Sequence, residues 1–82
     1  MRQLPSATAA LYVYISNPNL FFSLQEFLRQ TGCTAERRRS HELVVYIPGA
    51  PSETQARREV NVYLASWQAR NPGVETYIVE HR

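Results

Sequence analysis

Three arginines in a row, Arg37, Arg38 and Arg39, stand directly ahead of the alternating segment HELVVYI at residues 41–47. Guanidinium groups at that density could hold phosphates, or they could blunt the edge of a sheet so that it does not recruit another chain. Successive residues of a strand point to opposite faces, so Arg38 is expected to face away from Arg37 and Arg39. Glu36 and Glu42 flank the run and dilute its field. The run therefore reads first as a solvated, protective edge, with Arg37, Arg38 and Arg39 as the candidate anion contacts.

Nucleophilic and acid–base chemistry has less to work with. Cys33 is the single cysteine, His41 and His81 are the histidines, and there is no aspartate. A triad needs nucleophile, base and orienter within hydrogen-bond reach. His41 is expected in or beside a turn, at the far end of a strand from Cys33, while His81 lies one residue from the C-terminus. Cys33 reads as a small hydrophobe packed where a helix meets a strand. The glutamates are scattered, offering no pair for proton transfer or for a metal. The three glycines read as two helix stops and a loop, so no phosphate-cradling loop is present. No catalytic residue, metal or cofactor is expected, and the chain reads as non-enzymatic.

The aromatic residues carry more. In ALYVYIS, 10–16, Leu11, Val13 and Ile15 alternate with Tyr12 and Tyr14; in 41–47, Leu43, Val45 and Ile47 alternate with Val44 and Tyr46. Period-two alternation with β-branched and aromatic residues predicts strands. Between them, Asn17 and Pro18 predict a helix start, Leu20, Phe21, Leu24, Phe27 and Leu28 an apolar stripe, and Gly32 its stop. Residues 33–39 form a weaker strand, joined to 41–47 by a short polar turn. Ser52 and Gln55 predict a capping box on a second helix, with Ala56, Val60, Tyr63, Leu64 and Trp67 inward and Arg57, Arg58, Asn61, Gln68 and Arg70 outward. Asn71-Pro72-Gly73 ends it, and 74–80 is the last strand.

This order, strand–helix–strand–strand–helix–strand, predicts an α+β fold: a ferredoxin-like βαββαβ sandwich, with a four-stranded antiparallel sheet and both helices on one face. The first and third strands would be central. The uncovered face would then carry Tyr12, Tyr14, Val44 and Tyr46, joined by Tyr77 and Val79 or by Thr76 and Ile78 according to register. A cluster of that kind is the size of an interaction surface. Tyr12, Tyr14, Val44, Tyr46 and Tyr77 are the candidate interface, for a homodimer or another protein partner.

The whole chain agrees with a small module. Its 82 residues make one domain, 10–82, after a flexible lead-in at 1–9. Folding at that length buries only about 60–65% of the unfolded surface. The formal net charge is +2, too modest for the field of a dedicated nucleic-acid binder. One cysteine fits a reducing, cytoplasmic setting, and no apolar window is long enough to cross a membrane.

Several families resemble parts of this pattern. LYVYISNP, 11–18, resembles the first-strand motif of RRM domains, although HELVVYI lacks their basic-Gly-aromatic-x-aromatic pattern. That resemblance implies single-stranded nucleic acid stacked on Tyr12, Tyr14 and Tyr46, with the arginines on phosphates. The region from 11 to about 47, with YISNPNLFFSLQEFLRQTGCTAE at 14–36, is similar to the strand, turn, helix and strand of ACT-type small regulatory domains. It implies a ligand sensor with its site at Asn17-Pro18-Asn19-Leu20, where Asn19 replaces the family's glycine. Dimeric α+β-barrel proteins, similar in order of elements, imply pairing of sheet face to sheet face. Acylphosphatases and copper-chaperone domains share the expected fold, but their glycine-rich and paired-cysteine loops are absent here.

Overall fold

The computed structural model describes residues 8–50 and 52–79. Residues 1–7 of the expected lead-in at 1–9, Pro51, Glu80 of the expected last strand and His81 lie outside the described residues. The first alternating segment is strand β1, Thr8–Ile15. It begins two residues ahead of the alternation, because Thr8 and Ala9 pair with Pro48 and Ile47 and so belong to the domain.

Asn17 caps as predicted, but what it caps is a 3-10 turn, Pro18–Leu20. Its Oδ1 accepts the Asn19 N–H at 3.0 Å, and its carbonyl accepts the Leu20 N–H at 3.0 Å. That local closure fixes a tight turn, so helix α1, Phe21–Gln30, starts only after it. The helix buries Phe21, Leu24 and Leu28, with Leu20 and Phe27 half-buried, while Phe22 is exposed. Its end is a Schellman motif, with the Cys33 N–H on the Leu28 carbonyl at 3.1 Å and the Gly32 N–H on that of Arg29 at 3.1 Å. Gly32, at φ +99°, supplies the left-handed residue this closure requires.

Strands β2, Thr34–Arg39, and β3, Glu42–Pro48, follow as a hairpin closed by Ser40 and His41. Two-residue hairpins favour turns with positive φ, which match strand twist. Neither Ser40 nor His41 has positive φ, and the register slips between Arg37 and Arg39, where a bulge absorbs the mismatch.

Helix α2, Glu53–Arg70, is capped by Ser52, whose Oγ accepts the Gln55 N–H at 3.1 Å. The reciprocal half of the predicted box is absent. Gln55 instead donates its side-chain amide to Glu59 Oε2 at 3.2 Å, a carboxylate one turn further on. Ala56, Val60, Leu64 and Trp67 are buried as the spacing predicts, and Tyr63 is half-buried. Strand β4, Thr76–Val79, closes the sheet in the register that turns Thr76 and Ile78 inward and Tyr77 and Val79 outward.

The sheet is antiparallel with strand order β2-β3-β1-β4, so β1 and β3 are central. Leu11, Val13, Ile15, Leu43, Val45 and Ile47 from one face join the buried residues of both helices in a single core. Trp67, 2% exposed, bridges the helices by donating its indole N–H to Ser23 Oγ at 3.2 Å.

Trp67→Ala should therefore cost about 3–5 kcal/mol, a large part of the stability of so small a domain. Ser52→Ala should cost about 1 kcal/mol through its lost cap. Thermal melts of the two variants test the ranking; equal effects would contradict the assigned core.

Candidate interaction face

The face of the sheet opposite the core has no helix over it. The register sets its side chains side by side: Tyr14 between Glu42 and Tyr77, Tyr12 between Val44 and Val79, Ala10 beside Tyr46. Thr34 and Glu36 of β2 fall beside Tyr46 and Val44. All five candidate interface residues, Tyr12, Tyr14, Val44, Tyr46 and Tyr77, thus share one surface. Val79 joins them, and Tyr77 is 51% exposed.

The rings are not laid flat. Tyr14 and Tyr77 are cross-strand partners whose centroids lie 4.8 Å apart with planes 25° from parallel. That distance is about the spacing of adjacent strands, and rings flat on the sheet would meet edge to edge at a longer one. The rings therefore stand upright, faces toward each other, with edges outward. His41 continues the stack from the hairpin turn, 6.1 Å from Tyr14 and 14° from parallel.

The three arginines separate. Arg37 turns to the helix side, its guanidinium carbon 4.4 Å from the centre of the Phe21 ring, and donates to the Ser40 carbonyl at 3.4 Å. Arg38 crosses the open face from β2, over β3, to lie 4.7 Å from the centre of the Tyr12 ring on β1. On the way Arg38 Nη1 meets Glu42 Oε1 at 2.8 Å. Val44 lies beneath this crossing and is only 9% exposed although no helix covers it. Arg39 Nε stands 3.6 Å from the same Glu42 oxygen. The expected alternation thus holds for Arg37 and Arg38, but the bulge returns Arg39 to Arg38's carboxylate. Arg38's side chain is 35% and Arg39's 70% exposed, whereas the Glu42 side chain they share is only 13% exposed, so water screens these pairs mainly from the arginine side.

Both sheet edges are guarded, by different means. On β2 the guard is charge: Glu36 and the arginines. On β4 it is Gln68, a residue the helical spacing placed among the outward polar set. Tyr77 faces Tyr14, and the Ser16 N–H bonds the Glu75 carbonyl at 2.9 Å. By alternation, the backbone groups of Thr76 and Ile78 point away from β1. Gln68 Oε1 accepts the Thr76 N–H at 3.0 Å and its hydroxyl at 2.6 Å, occupying a donor that an added strand would use. Glutamine carries no signal for this role; only the packing of α2 along β4 creates it.

The structure does not bring Cys33 and His41 together. Cys33 is buried at the end of α1, with the Thr31 hydroxyl 3.5 Å from its sulfur, and six-residue β2 separates it from the turn by about 20 Å. His41 is exposed, its Nδ1 3.2 Å from Ser40 Oγ. Burial, with smaller contributions from Glu59 and Cys33, pushes the Tyr63 phenol above its ordinary value, so it stays protonated at neutral pH. Among the described residues, no three His, Cys, Asp or Glu side chains are grouped to hold a metal ion, and no helix is long and apolar enough to cross a membrane. Comparison with family models, with curated proteins and with solved structures gives no match.

Gln68→Ala leaves the nearly buried Thr76 N–H and hydroxyl without their acceptor, which should cost about 1–3 kcal/mol. Hydrogen exchange at the Thr76 amide should accelerate together with a lower melting temperature. Unchanged protection at Thr76 would show that the edge is guarded by something else.

Proposed function

We propose that this chain is a small non-enzymatic interaction module, a ferredoxin-like βαββαβ sandwich that associates through its open sheet face, with a second copy or another protein as partner. The observation that carries this reading is the cluster of Tyr12, Tyr14, Tyr46 and Tyr77 with Arg38 laid across it. Tyrosine and arginine are the residues most enriched at the energetic centres of protein interfaces. Arg38 and Arg39 on the face are already paired with Glu42, which lowers the cost of covering them. Guarded edges leave the face as the favoured route to association. Four strands at about 4.8 Å, of four to eight residues at about 3.3 Å each, give roughly 400 Å² in plan. A standard interface covers about 800 Å² per partner, so association should be reversible, micromolar or weaker.

The same geometry weakens two other readings. Stacking of nucleobases needs ring faces turned to solvent, and here Tyr14 lies between two other rings. Arg37 and Arg38 are engaged with rings and a carboxylate of their own chain. For an ACT-like ligand sensor, the Asn19 amide at the turn before α1 is already taken by Asn17.

Replacing Tyr14 and Tyr46 together with glutamate tests the proposal. Two charges on an open, wet face cost the monomer little, but burying them unpaired costs several kcal/mol against association. The double variant should keep its circular-dichroism spectrum while its light-scattering mass, for a 9.5 kDa chain, falls to that of the monomer at concentrations where the wild type associates. A wild type that stays monomeric at millimolar concentration would rule out self-association.

Single-stranded RNA should bind only weakly, with a log–log salt slope of about −2 to −3 if two or three arginines take part. Sub-micromolar binding that disappears in Arg37→Ala/Arg39→Ala would put nucleic acid first.

A further inference from the structure

Ser40 sits where the triple arginine ends, in the exposed two-residue turn between β2 and β3. Arg37, Arg38 and Arg39 occupy the three positions before it, and no other serine of the chain has an arginine among its three preceding residues. Those arginines lie on an extended edge strand, open on its outer side, and all are exposed. A kinase with an acidic peptide groove selects substrates by this charge pattern, arginines shortly before the acceptor hydroxyl on an extended segment. The hydroxyl itself is lightly held, with His41 Nδ1 at 3.2 Å.

We propose that Ser40 is a phosphorylation site for an arginine-directed serine kinase, and that the same arginines clasp the product. In the reaction the γ-phosphoryl group of a nucleoside triphosphate is transferred: a P–O bond forms at Ser40 Oγ, the bond to the β-phosphate breaks, the nucleoside diphosphate leaves, and the hydroxyl proton passes to the kinase base. The phosphate adds a charge of about −1.5 to −2 and three strong acceptor oxygens. The three arginines that precede it are exposed residues, each with a partner in its own chain. Arg37 Nη1 already reaches the Ser40 carbonyl at 3.4 Å, and Arg38 and Arg39 share one oxygen of Glu42 at 2.8 and 3.6 Å. A phosphate offers a fork-shaped guanidinium better geometry and more charge than half of one carboxylate. It therefore competes with Glu42 for Arg38 and Arg39, and the crossing of the open face by Arg38 becomes dependent on the state of Ser40. The formal net charge falls from +2 to about zero.

The test uses the full chain, a purified arginine-directed serine kinase and ATP. The folded protein should gain about 80 Da once, mapped to Ser40 by fragmentation, with no gain in Ser40→Ala and a gain retained in Ser40→Thr. Arg37→Ala/Arg38→Ala, checked for folding by circular dichroism, should slow the reaction at least tenfold. Phosphorus NMR on the modified wild type should show a second ionisation below the value of about 6 of a free phosphoserine, restored toward it in Arg39→Ala. Labelling at a different residue, labelling indifferent to Arg37 and Arg38, or labelling of the chain only after unfolding would each overturn the proposal.

Discussion

Among the described residues, two α-helices of ten and eighteen residues cover a four-stranded sheet, and both go to the same side. The rest of the structure follows from that constraint. On the covered side the branched aliphatic residues of β1 and β3 meet Leu24, Leu28, Val60, Leu64 and Trp67, and hydrophobic burial does most of the stabilising. The other side has no such partner, yet its side chains still alternate outward because the strands permit nothing else. It is finished by residues that tolerate both water and contact: tyrosines with apolar rings and wet hydroxyls, and an arginine whose stem covers carbon while its head pairs with Glu42.

Much of this was legible in the chain because it depends on local periodicity. Leu11, Val13 and Ile15 against Tyr12 and Tyr14 announce both a strand and its two faces, and the spacing of Ala56, Val60, Leu64 and Trp67 announces the buried side of α2. The five candidate interface residues follow from the same parity. What was not legible depends on residues that meet only in the folded chain. Gln68 looks like any exposed helix residue until β4 arrives beside it, and Ser23 finds Trp67 across 44 positions. Gln55 had a correct cap spacing, but Glu59 one turn away competes for its amide. The choice between Tyr77 and Thr76 on the open face was a question of register, which a four-residue strand with little apolar contrast could not answer alone.

The arginine run shows how one residue type can be given three tasks by backbone geometry. Parity sends Arg37 to Phe21 and Arg38 to Tyr12, on opposite sides of the same strand. Because Ser40 and His41 stay at negative φ, the twist mismatch is taken up by the bulge, and Arg39 is brought back to Glu42. The result is a split positive surface: one guanidinium on each face of the sheet, and a third at the turn sharing a carboxylate with its neighbour. A polyanion tracking along the edge would meet these charges on different sides and already engaged. A single anion added at Ser40 would directly follow all three in sequence, with Arg37 Nη1 already 3.4 Å from the Ser40 carbonyl. The divided run ends at Ser40, where a phosphate would draw Arg38 and Arg39 away from the Glu42 oxygen they share.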